Sequence, residues 1–308
     1  MPVAVIDIGS NSIKLLVAER SPGGGPLELL SRTLEVRISH GIGSANPRLG
    51  NQAMERGITA VTDLVTEARL AGADHIAAVA TSAVRDASNG AEFMERARSA
   101  VGIDLRILTG SEEANLIGRG LTTDPALSSL RDFDVFDLGG GSLECLSFGD
   151  RQVKDAISLP LGCVRLTEKF VPAPGAALSW PESLAIHLHV TQALVRSGFP
   201  LPVAPGLAVI GTGGTLTTVR AMEAARQGLN LGQTDPLITV STLRQVLASV
   251  GSVDLEARRK IPGLPPPRAD VFPVALATLL ALAEFGGIPA FRHSLRNLRW
   301  GIASEMLE

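Results

Sequence analysis

The spacing of apolar residues predicts a chain of alternating strands and helices. Short apolar runs predict strands, and apolar residues that share one helical face, such as Met54, Ile58 and Val61, predict helices. The first half is predicted to contain strands at 3–7, 12–19, 27–37, 75–80 and 105–108 and helices at 52–71 and 92–101. The second half is predicted to contain strands at 134–136, 145–148, 152–159, 206–210 and 290–295 and helices at 181–197, 216–225, 271–285 and 298–307. This order is typical of an α/β protein.

One turn motif occurs twice, each time between two apolar runs. The stretches 7–12 and 137–142 both place an aspartate, a glycine and a serine at the same spacing, Asp-x-Gly-x-x-Ser. Glycines permit a tight turn, and successive backbone N–H groups in such a turn form a concavity that binds anions. Asp137 can hold a metal ion or a water, and the Ser142 hydroxyl can donate to a phosphate oxygen. The repeat therefore predicts two phosphate-binding hairpins that grip a polyphosphate from both sides.

Length, charge and cysteine content narrow the class of protein. A chain of 308 residues suggests about two domains. The net charge of −3 argues against a general nucleic-acid or membrane-surface partner, so any anion site must be local. The longest apolar stretch, 271–285, is shorter than the roughly 18–20 residues of a membrane span and contains Pro273 and Glu284. The two cysteines lack metal-ligand spacing, and no signal sequence is evident, so we expect a cytoplasmic protein.

Three further segments carry groups that suit phosphate chemistry, although each has a plain structural alternative. Arg85 follows a strand end rich in small hydroxyl residues and could bind phosphate through two hydrogen bonds, or it could be a surface arginine after a helix cap. Glu112 and Glu113 stand at a helix start that Ser111 is predicted to cap; Ser241 is predicted to cap another helix. Adjacent helical residues point about 100° apart, so one glutamate could act as a base, but periodicity does not choose between them.

The third segment is the loop 211–215, Gly-Thr-Gly-Gly-Thr, between a strand and a helix. Strand, glycine loop and helix N-terminus form a common phosphate-binding arrangement, and a plain glycine turn is the alternative.

Five blocks in this order resemble the exopolyphosphatase / guanosine pentaphosphate phosphohydrolase family, which belongs to the actin, Hsp70 and sugar-kinase superfamily. The blocks are 7–12, 80–86, 110–114, 137–144 and 211–215. The resemblance implies two actin-like (ribonuclease H-like) α/β domains with an active-site cleft between them. Domain I would comprise residues 1–121 with a returning helix at about 296–308, and domain II residues 122–295. The chain is similar to short members that lack a C-terminal helical domain.

The resemblance also implies an activity and a set of site residues. The activity is release of terminal orthophosphate from inorganic polyphosphate, or of the 5′-γ-phosphate from guanosine pentaphosphate, with Mg²⁺ or another divalent cation. Glu113 would be the catalytic base and Arg85 the phosphate clamp. Asp137, Glu144 and the equivalent Asp7 would hold the metal. The phosphate-binding residues would be Gly9, Ser10, Asn11, Ser12, Gly139, Gly140, Gly141, Ser142 and Gly213. Trp300 departs from the family's closing pattern, which has glutamate there, so no role is carried over to that position.

Several alternatives stay open at this point. Polyphosphate and guanosine pentaphosphate both present a terminal phosphoanhydride, and the sequence does not separate them. A sugar or carboxylate kinase of the same superfamily, a non-catalytic sensor of polyphosphate or alarmone, and an actin-like filament protein are the competing functions. The oligomeric state is also open, with a homodimer as one alternative.

Overall fold

The fold is built on mixed sheets with helices packed against them. The computed structural model describes residues 1–39 and 41–308, and within these residues the chain divides into two compact units. The first unit contains Met1–Ser129 and Arg296–Glu308, and the second contains Leu130–Leu295. The predicted boundary between residues 121 and 122 falls within the last turn of a helix that continues to Thr122, and before Ser129, where this part of the first unit ends.

The first unit has a mixed sheet in the order β3-β2-β1-β4-β5. The elements are β1 (Val3–Ile8), β2 (Ile13–Arg20), β3 (Pro26–Leu34), α1 (Asn51–Leu70), β4 (His75–Ala80), α2 (Ser82–Arg85), α3 (Gly90–Val101), β5 (Leu105–Ile107) and α4 (Gly110–Thr122). The strands β1, β2 and β3 pair antiparallel, whereas β4 pairs parallel with both β1 and β5. Every residue of the central strand β1 is buried, which explains its unbroken apolar run up to Asp7.

The second unit has a mixed sheet in the order β10-β11-β9-β6-β7-β8. The elements are β6 (Phe133–Leu138), β7 (Leu143–Gly149), β8 (Gln152–Leu159), α5 (Cys163–Phe170), α6 (Trp180–Ser197), β9 (Ala208–Thr212), α7 (Gly214–Gln227), β10 (Leu237–Thr239), α8 (Val240–Gly251), α9 (Leu255–Arg258), α10 (Phe272–Gly286) and β11 (Ala290–His293). Nearly every residue of α10 is buried, as its continuous apolar sequence predicts.

The two sheets repeat one topology. The order β8-β7-β6-β9-β11 matches β3-β2-β1-β4-β5, and the strand directions match as well: β6 is antiparallel to β7 and parallel to β9, as β1 is to β2 and β4. In both sheets the repeated turn motif joins the central strand to its antiparallel neighbour. The predicted fold class, α/β with two units of actin-like (ribonuclease H-like) topology, is confirmed.

The last helix, α11 (Leu298–Met306), belongs to the first unit and crosses α4 at two glycines. A Cβ atom on Gly120 would lie 2.1 Å from the Asn297 carbonyl oxygen, and one on Gly301 would lie 1.9 Å from the Leu116 carbonyl oxygen. The two backbones are therefore in direct contact, and no larger residue fits at either position.

Some element ends differ from the predictions. The helix α4 is capped by Thr109 and not by Ser111, because the Thr109 hydroxyl accepts the Glu112 N–H at 3.2 Å. Likewise Thr239, and not Ser241, caps α8 by accepting the Thr242 N–H at 3.1 Å. The edge strand β10 was not predicted. Among the helices that the structure describes in residues 1–39 and 41–308, none is both long and apolar enough to cross a bilayer.

Candidate active site

The two repeated turns close with the same hydrogen bond. In the first, the Gly9 N–H donates to the Ser12 carbonyl at 3.1 Å, and in the second the Gly139 N–H donates to the Ser142 carbonyl at 3.0 Å. Each turn also follows a strand whose penultimate residue is the repeated aspartate. The sequence repeat therefore corresponds to two turns of equivalent geometry.

The second turn, residues 139–142, is held against the first turn of α5 through its carbonyl groups. The Gly139 carbonyl accepts the Cys163 N–H (3.0 Å), the Gly140 carbonyl accepts the Val164 N–H (2.8 Å), and the Gly141 carbonyl accepts the Arg165 Nε–H (2.9 Å). In a trans peptide the C=O and the following N–H point in opposite directions. The N–H groups of Gly140, Gly141 and Ser142 are consequently directed away from α5, on one side of the turn, as an anion-binding concavity requires.

Gly162, which caps α5, makes this contact possible. A Cβ atom on Gly162 would lie 2.3 Å from the Gly140 carbonyl carbon and 2.3 Å from the Gly141 nitrogen. Sequence reasoning did not assign Gly162 to the site. The feature of the sequence that could have indicated this role is a glycine immediately before the helix that follows the hairpin.

The first turn, residues 9–12, is fixed differently, through its side chains. The Asn11 amide donates to the Glu35 carboxylate at 2.5 Å and accepts from the Arg37 Nε–H at 3.2 Å. The Ser10 hydroxyl lies 3.2 Å from the Ser82 hydroxyl, at the start of α2. The Asn11 side chain thus holds the turn to the segment after β3.

The carboxylates beside the two turns face different partners. Asp137 lies directly opposite Glu144 in the β6–β7 pair, so both side chains stand on one face of the sheet, and both are buried. In the equivalent place of the first hairpin, Asp7 lies opposite Lys14. Burial raises the pKa of Asp7, while the charges of Lys14 and Arg299 oppose that rise. The second hairpin therefore presents two carboxylates, whereas the first presents a carboxylate and the ammonium group of a lysine.

The acid pair Asp137 and Glu144 fits a divalent cation. The Ser158 hydroxyl donates to the Glu144 carboxylate at 2.8 Å, which orients it. A Cβ atom on Gly213, whose φ is +95°, would lie 2.5 Å from Asp137 Oδ1, so glycine there leaves space beside the carboxylate. Within residues 1–39 and 41–308, no cluster of three or more His, Cys, Asp and Glu side chains is arranged to hold a metal. Mg²⁺ commonly binds through one or two carboxylates, waters and substrate phosphates, so two carboxylates suffice.

The structure brings Arg85 and Glu113 together. Arg85 Nη1 donates to Glu113 Oε2 at 2.8 Å and to the Leu108 carbonyl at 2.9 Å. The Glu113 side chain is 8% exposed and that of Arg85 is 22% exposed. A largely buried carboxylate paired with a partly exposed guanidinium is an arrangement that can serve both a base and an anion contact.

The neighbouring Glu112 is engaged elsewhere. Its carboxylate accepts from both the N–H and the hydroxyl of Thr109, each at 2.8 Å, and so completes a capping box at the start of α4. These hydrogen bonds lower the pKa of the exposed Glu112. The capping box therefore engages Glu112, whereas Glu113 pairs with Arg85. The helical period alone did not distinguish these two residues.

Arg268 is a second residue that sequence reasoning did not assign to the site. Its guanidinium lies where a Cβ atom on Gly214 would be, with Nη1 2.1 Å from that position. Since Gly214 is the first residue of α7, a cation lies beside the start of the helix that follows the glycine loop. The predicted start of this helix at residue 216 was two residues late, because Gly213 is the N-cap.

Trp300 is a packing residue in the first unit. It is buried, and the Arg296 guanidinium lies 4.0 Å from the centre of its ring. Arg296 also donates to the Thr123 hydroxyl at 3.0 Å. A cation stacked on an aromatic face accounts for tryptophan at this place.

The chain is similar to known phosphatases of one family. The sequence profile of the Ppx/GppA phosphatase family matches residues 16–308. A Mycobacterium tuberculosis protein named exopolyphosphatase 1 is 29% identical over 276 residues, which are 87% of this chain and 77% of that protein. The solved structure of the Aquifex aeolicus member of the Ppx/GppA family is 27% identical, with a TM-score of 0.77 over 100% of this chain and 98% of that one. An exopolyphosphatase structure from Cytophaga hutchinsonii, 22% identical, shares the fold with a TM-score of 0.85 over 100% of this chain and 98% of that one.

Proposed function

Because the chain belongs to the Ppx/GppA phosphatase family, and is therefore a phosphoanhydride hydrolase, we propose that it is an exopolyphosphatase. It releases terminal orthophosphate from inorganic polyphosphate in a reaction that needs Mg²⁺ or another divalent cation. The observation that carries this proposal is the second hairpin. Its three N–H groups share one side of the turn, and the paired carboxylates of Asp137 and Glu144 stand beside it. Amide donors and a dication site together match a polyphosphate chain.

The carboxylates divide into two groups by their partners. Asp137 and Glu144 would hold the divalent cation, which when bound neutralises phosphate charge and polarises the bond that breaks. Asp7 has Lys14 opposite it and Arg299 nearby, so it is less suited to a dication than the acid pair. We assign Asp7 to orienting Lys14 at the first phosphate-binding turn, residues 9–12.

Glu113 would accept the proton of the attacking water, and Arg85 would contact the phosphate group. The ion pair between them supports this assignment, because it places the guanidinium directly beside the carboxylate. Arg85 has further N–H donors beyond Nη1, so it can hold a phosphate oxygen without releasing Glu113. The amides of Gly139–Ser142, and Gly213 at the start of α7, would hold other phosphates of the chain.

Phosphate release from a panel of substrates tests the proposal. The panel comprises short polyphosphate, long polyphosphate, guanosine pentaphosphate, and ATP with sugar and carboxylate acceptors, each with and without Mg²⁺. We expect the highest kcat/KM on polyphosphate, as the name of the mycobacterial relative suggests, and loss of activity without the cation. Preference for guanosine pentaphosphate would assign the alternative family activity. Transfer to an acceptor would indicate a kinase, and binding without phosphate release a sensor.

We also propose that the protein is a homodimer formed through α6. Four apolar side chains on this helix are exposed: Trp180 (74%), Leu184 (38%), Leu188 (51%) and Val195 (62%). At 100° per residue they fall within an arc of about 80°, so they form one apolar face on the solvent side of the helix. Contiguous apolar surface of this kind marks an interaction site.

A second copy of the chain is the partner to which this proposal commits. Two copies of α6 that cross antiparallel at Leu188, which lies within this arc, bury the apolar face of each helix against that of the other. Such a twofold contact requires one surface that is complementary to itself, and an apolar face packed on an apolar face meets that requirement.

We place the protein in the cytoplasm, where polyphosphate and alarmone substrates would meet it. Cys145 and Cys163 are both buried and form no disulfide bond, as is usual for proteins of a reducing compartment.

A further inference from the structure

A chain of hydrogen bonds runs through the second unit from Arg220 to the glycine loop. Arg220 Nη1 lies 3.2 Å from His293 Nδ1, and His293 Nε2 lies 3.2 Å from the Thr217 hydroxyl. The Thr217 hydroxyl in turn donates to the Gly213 carbonyl at 3.0 Å. These side chains lie on α7 and at the end of β11, and His293 is buried.

The chemistry of arginine fixes the direction of every bond in the chain. A guanidinium has N–H donors and no acceptor, so His293 Nδ1 must accept. The imidazole is therefore neutral with its proton on Nε2, which donates to the Thr217 hydroxyl. That leaves the hydroxyl proton for the Gly213 carbonyl. Burial, and then the charge of Arg220, lower the pKa of His293 to about 3, so the neutral form persists at physiological pH.

The Arg220 guanidinium is held in place by further hydrogen bonds at the other end of the chain of contacts. It also donates to the Thr234 hydroxyl (3.1 Å), the Leu231 carbonyl (2.7 Å) and the Thr234 carbonyl (2.9 Å). A planar group held at several places does not rotate to follow its partner. The orientation of the His293 ring is therefore tied, through Arg220, to the loop 231–234.

The second partner of Thr217 distinguishes it from an ordinary helical threonine. Threonine hydroxyls often bond the carbonyl four residues earlier, and Thr218 does so to Gly214 at 2.8 Å. Thr217 makes the same kind of bond, but its hydroxyl also accepts from His293. The acceptor of the Thr217 hydroxyl is the carbonyl of Gly213. Gly213 has a φ of +95°, and its backbone lies next to the Asp137 carboxylate.

We propose that Arg220, His293 and Thr217 are positioning residues that fix the Gly213–Gly214 peptide so that the Gly214 N–H meets a phosphate oxygen of the substrate. Because C=O and N–H in a peptide are opposed, holding the Gly213 carbonyl also orients the Gly214 N–H. The inference rests on the proposed function, since it assumes that this peptide binds the phosphate chain. The residues act through the peptide and do not touch the substrate.

Matched threonine variants test this proposal. Thr217→Val removes the hydroxyl at nearly constant volume, and Thr217→Ser keeps it. Thr278→Val is the control, because Thr278 likewise lies in a helix of the same unit and donates to the carbonyl four residues earlier, at 2.8 Å. The readouts are the Kd of tripolyphosphate by calorimetry in the Glu113→Gln background, where turnover is suppressed, and KM and kcat in the otherwise wild-type enzyme.

We expect Thr217→Val to raise Kd and KM about three- to tenfold, the range for one lost hydrogen bond, with kcat within about twofold. Thr217→Ser and Thr278→Val should both stay within about twofold for Kd and KM. His293→Leu should resemble Thr217→Val, and the double variant should be no worse than either single variant, because one chain is broken in each case.

Unchanged Kd in Thr217→Val, an equal loss in Thr278→Val, or additive losses in the double variant would overturn the proposal. A protein that binds tripolyphosphate but releases no phosphate would contradict the proposed function and leave the Kd comparison able to judge the positioning role. A protein that does not bind tripolyphosphate at all would refute both.

Discussion

At the scale of single residues, the contrast between Glu113 and Glu112 has a direct kinetic consequence. Glu113→Gln keeps an oxygen for Arg85 and nearly the same shape, so the fold and substrate binding should be retained. We expect kcat to fall by roughly 10²–10⁴, the usual contribution of a general base. The measurement is kcat on polyphosphate at saturating Mg²⁺.

Glu112→Gln is the matched control for this change. Glu112 is exposed and serves the capping box with Thr109, so its variant should lose a little stability and keep most of its turnover. Near-normal kcat in Glu113→Gln would refute the role of Glu113. A large loss in Glu112→Gln alone would transfer that role to its neighbour.

The buried His293 makes a prediction about stability and pH. Its folded-state pKa of about 3 lies below the ordinary value of 6.5, so below pH 6.5 the unfolded chain binds a proton that the folded protein does not. Stability is therefore complete above pH 6.5 and is lost as the pH falls from 6.5 toward 3. At pH 5.5 the loss from this group should be about 1.4 kcal/mol.

Urea unfolding at pH 7.0 and 5.5 measures this effect. The free energy of unfolding should fall less between the two pH values in His293→Gln than in the wild type, by about that amount. His75→Gln, at an exposed histidine on β4, is the control and should follow the wild type. Equal losses in wild type and His293→Gln would show that His293 does not titrate as inferred.

Site residues could be predicted from the sequence where the adjacent residues form a recognisable motif with them. Asp137 and the glycines after it form a recognisable motif, and the repeat at Asp7 strengthens it. Gly162 and Arg268 were not predicted as site residues, because their roles depend on contacts with peptides that are distant in the sequence. Local sequence carries no information about such contacts. The choice of Glu113 over Glu112 needed the family resemblance, since Thr109 and Ser111 are both good caps and each implies a different register.

At the scale of elements, the junction between the second turn and α5 should be sensitive to one methyl group. Gly162→Ala places a Cβ atom 2.3 Å from the Gly140–Gly141 peptide, so either the turn or the helix must shift. Displacing the turn misaligns its three N–H groups. We expect a loss of about 1–3 kcal/mol in the free energy of unfolding and a rise in KM for polyphosphate.

Gly175→Ala is the control for this variant, because no atom of residues 1–39 and 41–308 lies within 4 Å of its Cβ position. Thermal melting and KM for both proteins provide the comparison. Unaltered KM in Gly162→Ala would mean that the turn does not hold the substrate. A similar effect in Gly175→Ala would point to a general cost of replacing glycine.

Element identities were largely predictable, and their ends were not. The central strands and α10 are apolar throughout because they are buried on all sides, which a sequence pattern reveals directly. The strand β10 consists of Leu237–Thr239 and pairs with β11 at the edge of the sheet, so its short run carries little signal. Helix starts were misplaced where two hydroxyl residues stand close together, as at Thr239 and Ser241, because either side chain can cap.

At the scale of the whole molecule, the apolar face of α6 predicts the oligomeric state. Leu188→Glu places a charge at the centre of the proposed dimer contact, once from each copy. We expect a dimeric wild type and at least a 30-fold weaker dimer in the variant, which corresponds to about 2 kcal/mol, the size of an interface hot spot. Sedimentation velocity over a range of concentrations measures this.

Leu70→Glu is the control, because Leu70 is 84% exposed at the end of α1, outside the α6 face. It should sediment as the wild type does. A wild type that stays monomeric at all concentrations, or a Leu188→Glu variant that dimerises normally, would exclude this contact.

The doubled topology of the molecule was predictable because one motif occurs twice in the sequence at the same place in each sheet. The attachment of α11 to α4 is less visible, since Gly120 and Gly301 are isolated glycines in ordinary helical sequences. Their importance follows from backbone contact between helices that the chain separates widely.

That attachment has a consequence for how the chain folds. The second unit is continuous in sequence, so it can form as soon as its own residues are available. The first unit cannot finish until Arg299 reaches the Leu15 carbonyl, a bond that joins residues 284 positions apart. Bringing such distant segments together carries the larger entropic cost and the slower rate. During synthesis on the ribosome, we therefore expect the second unit to become protected from proteolysis first. The N-terminal sheet should become protected only after the last helix has been synthesised.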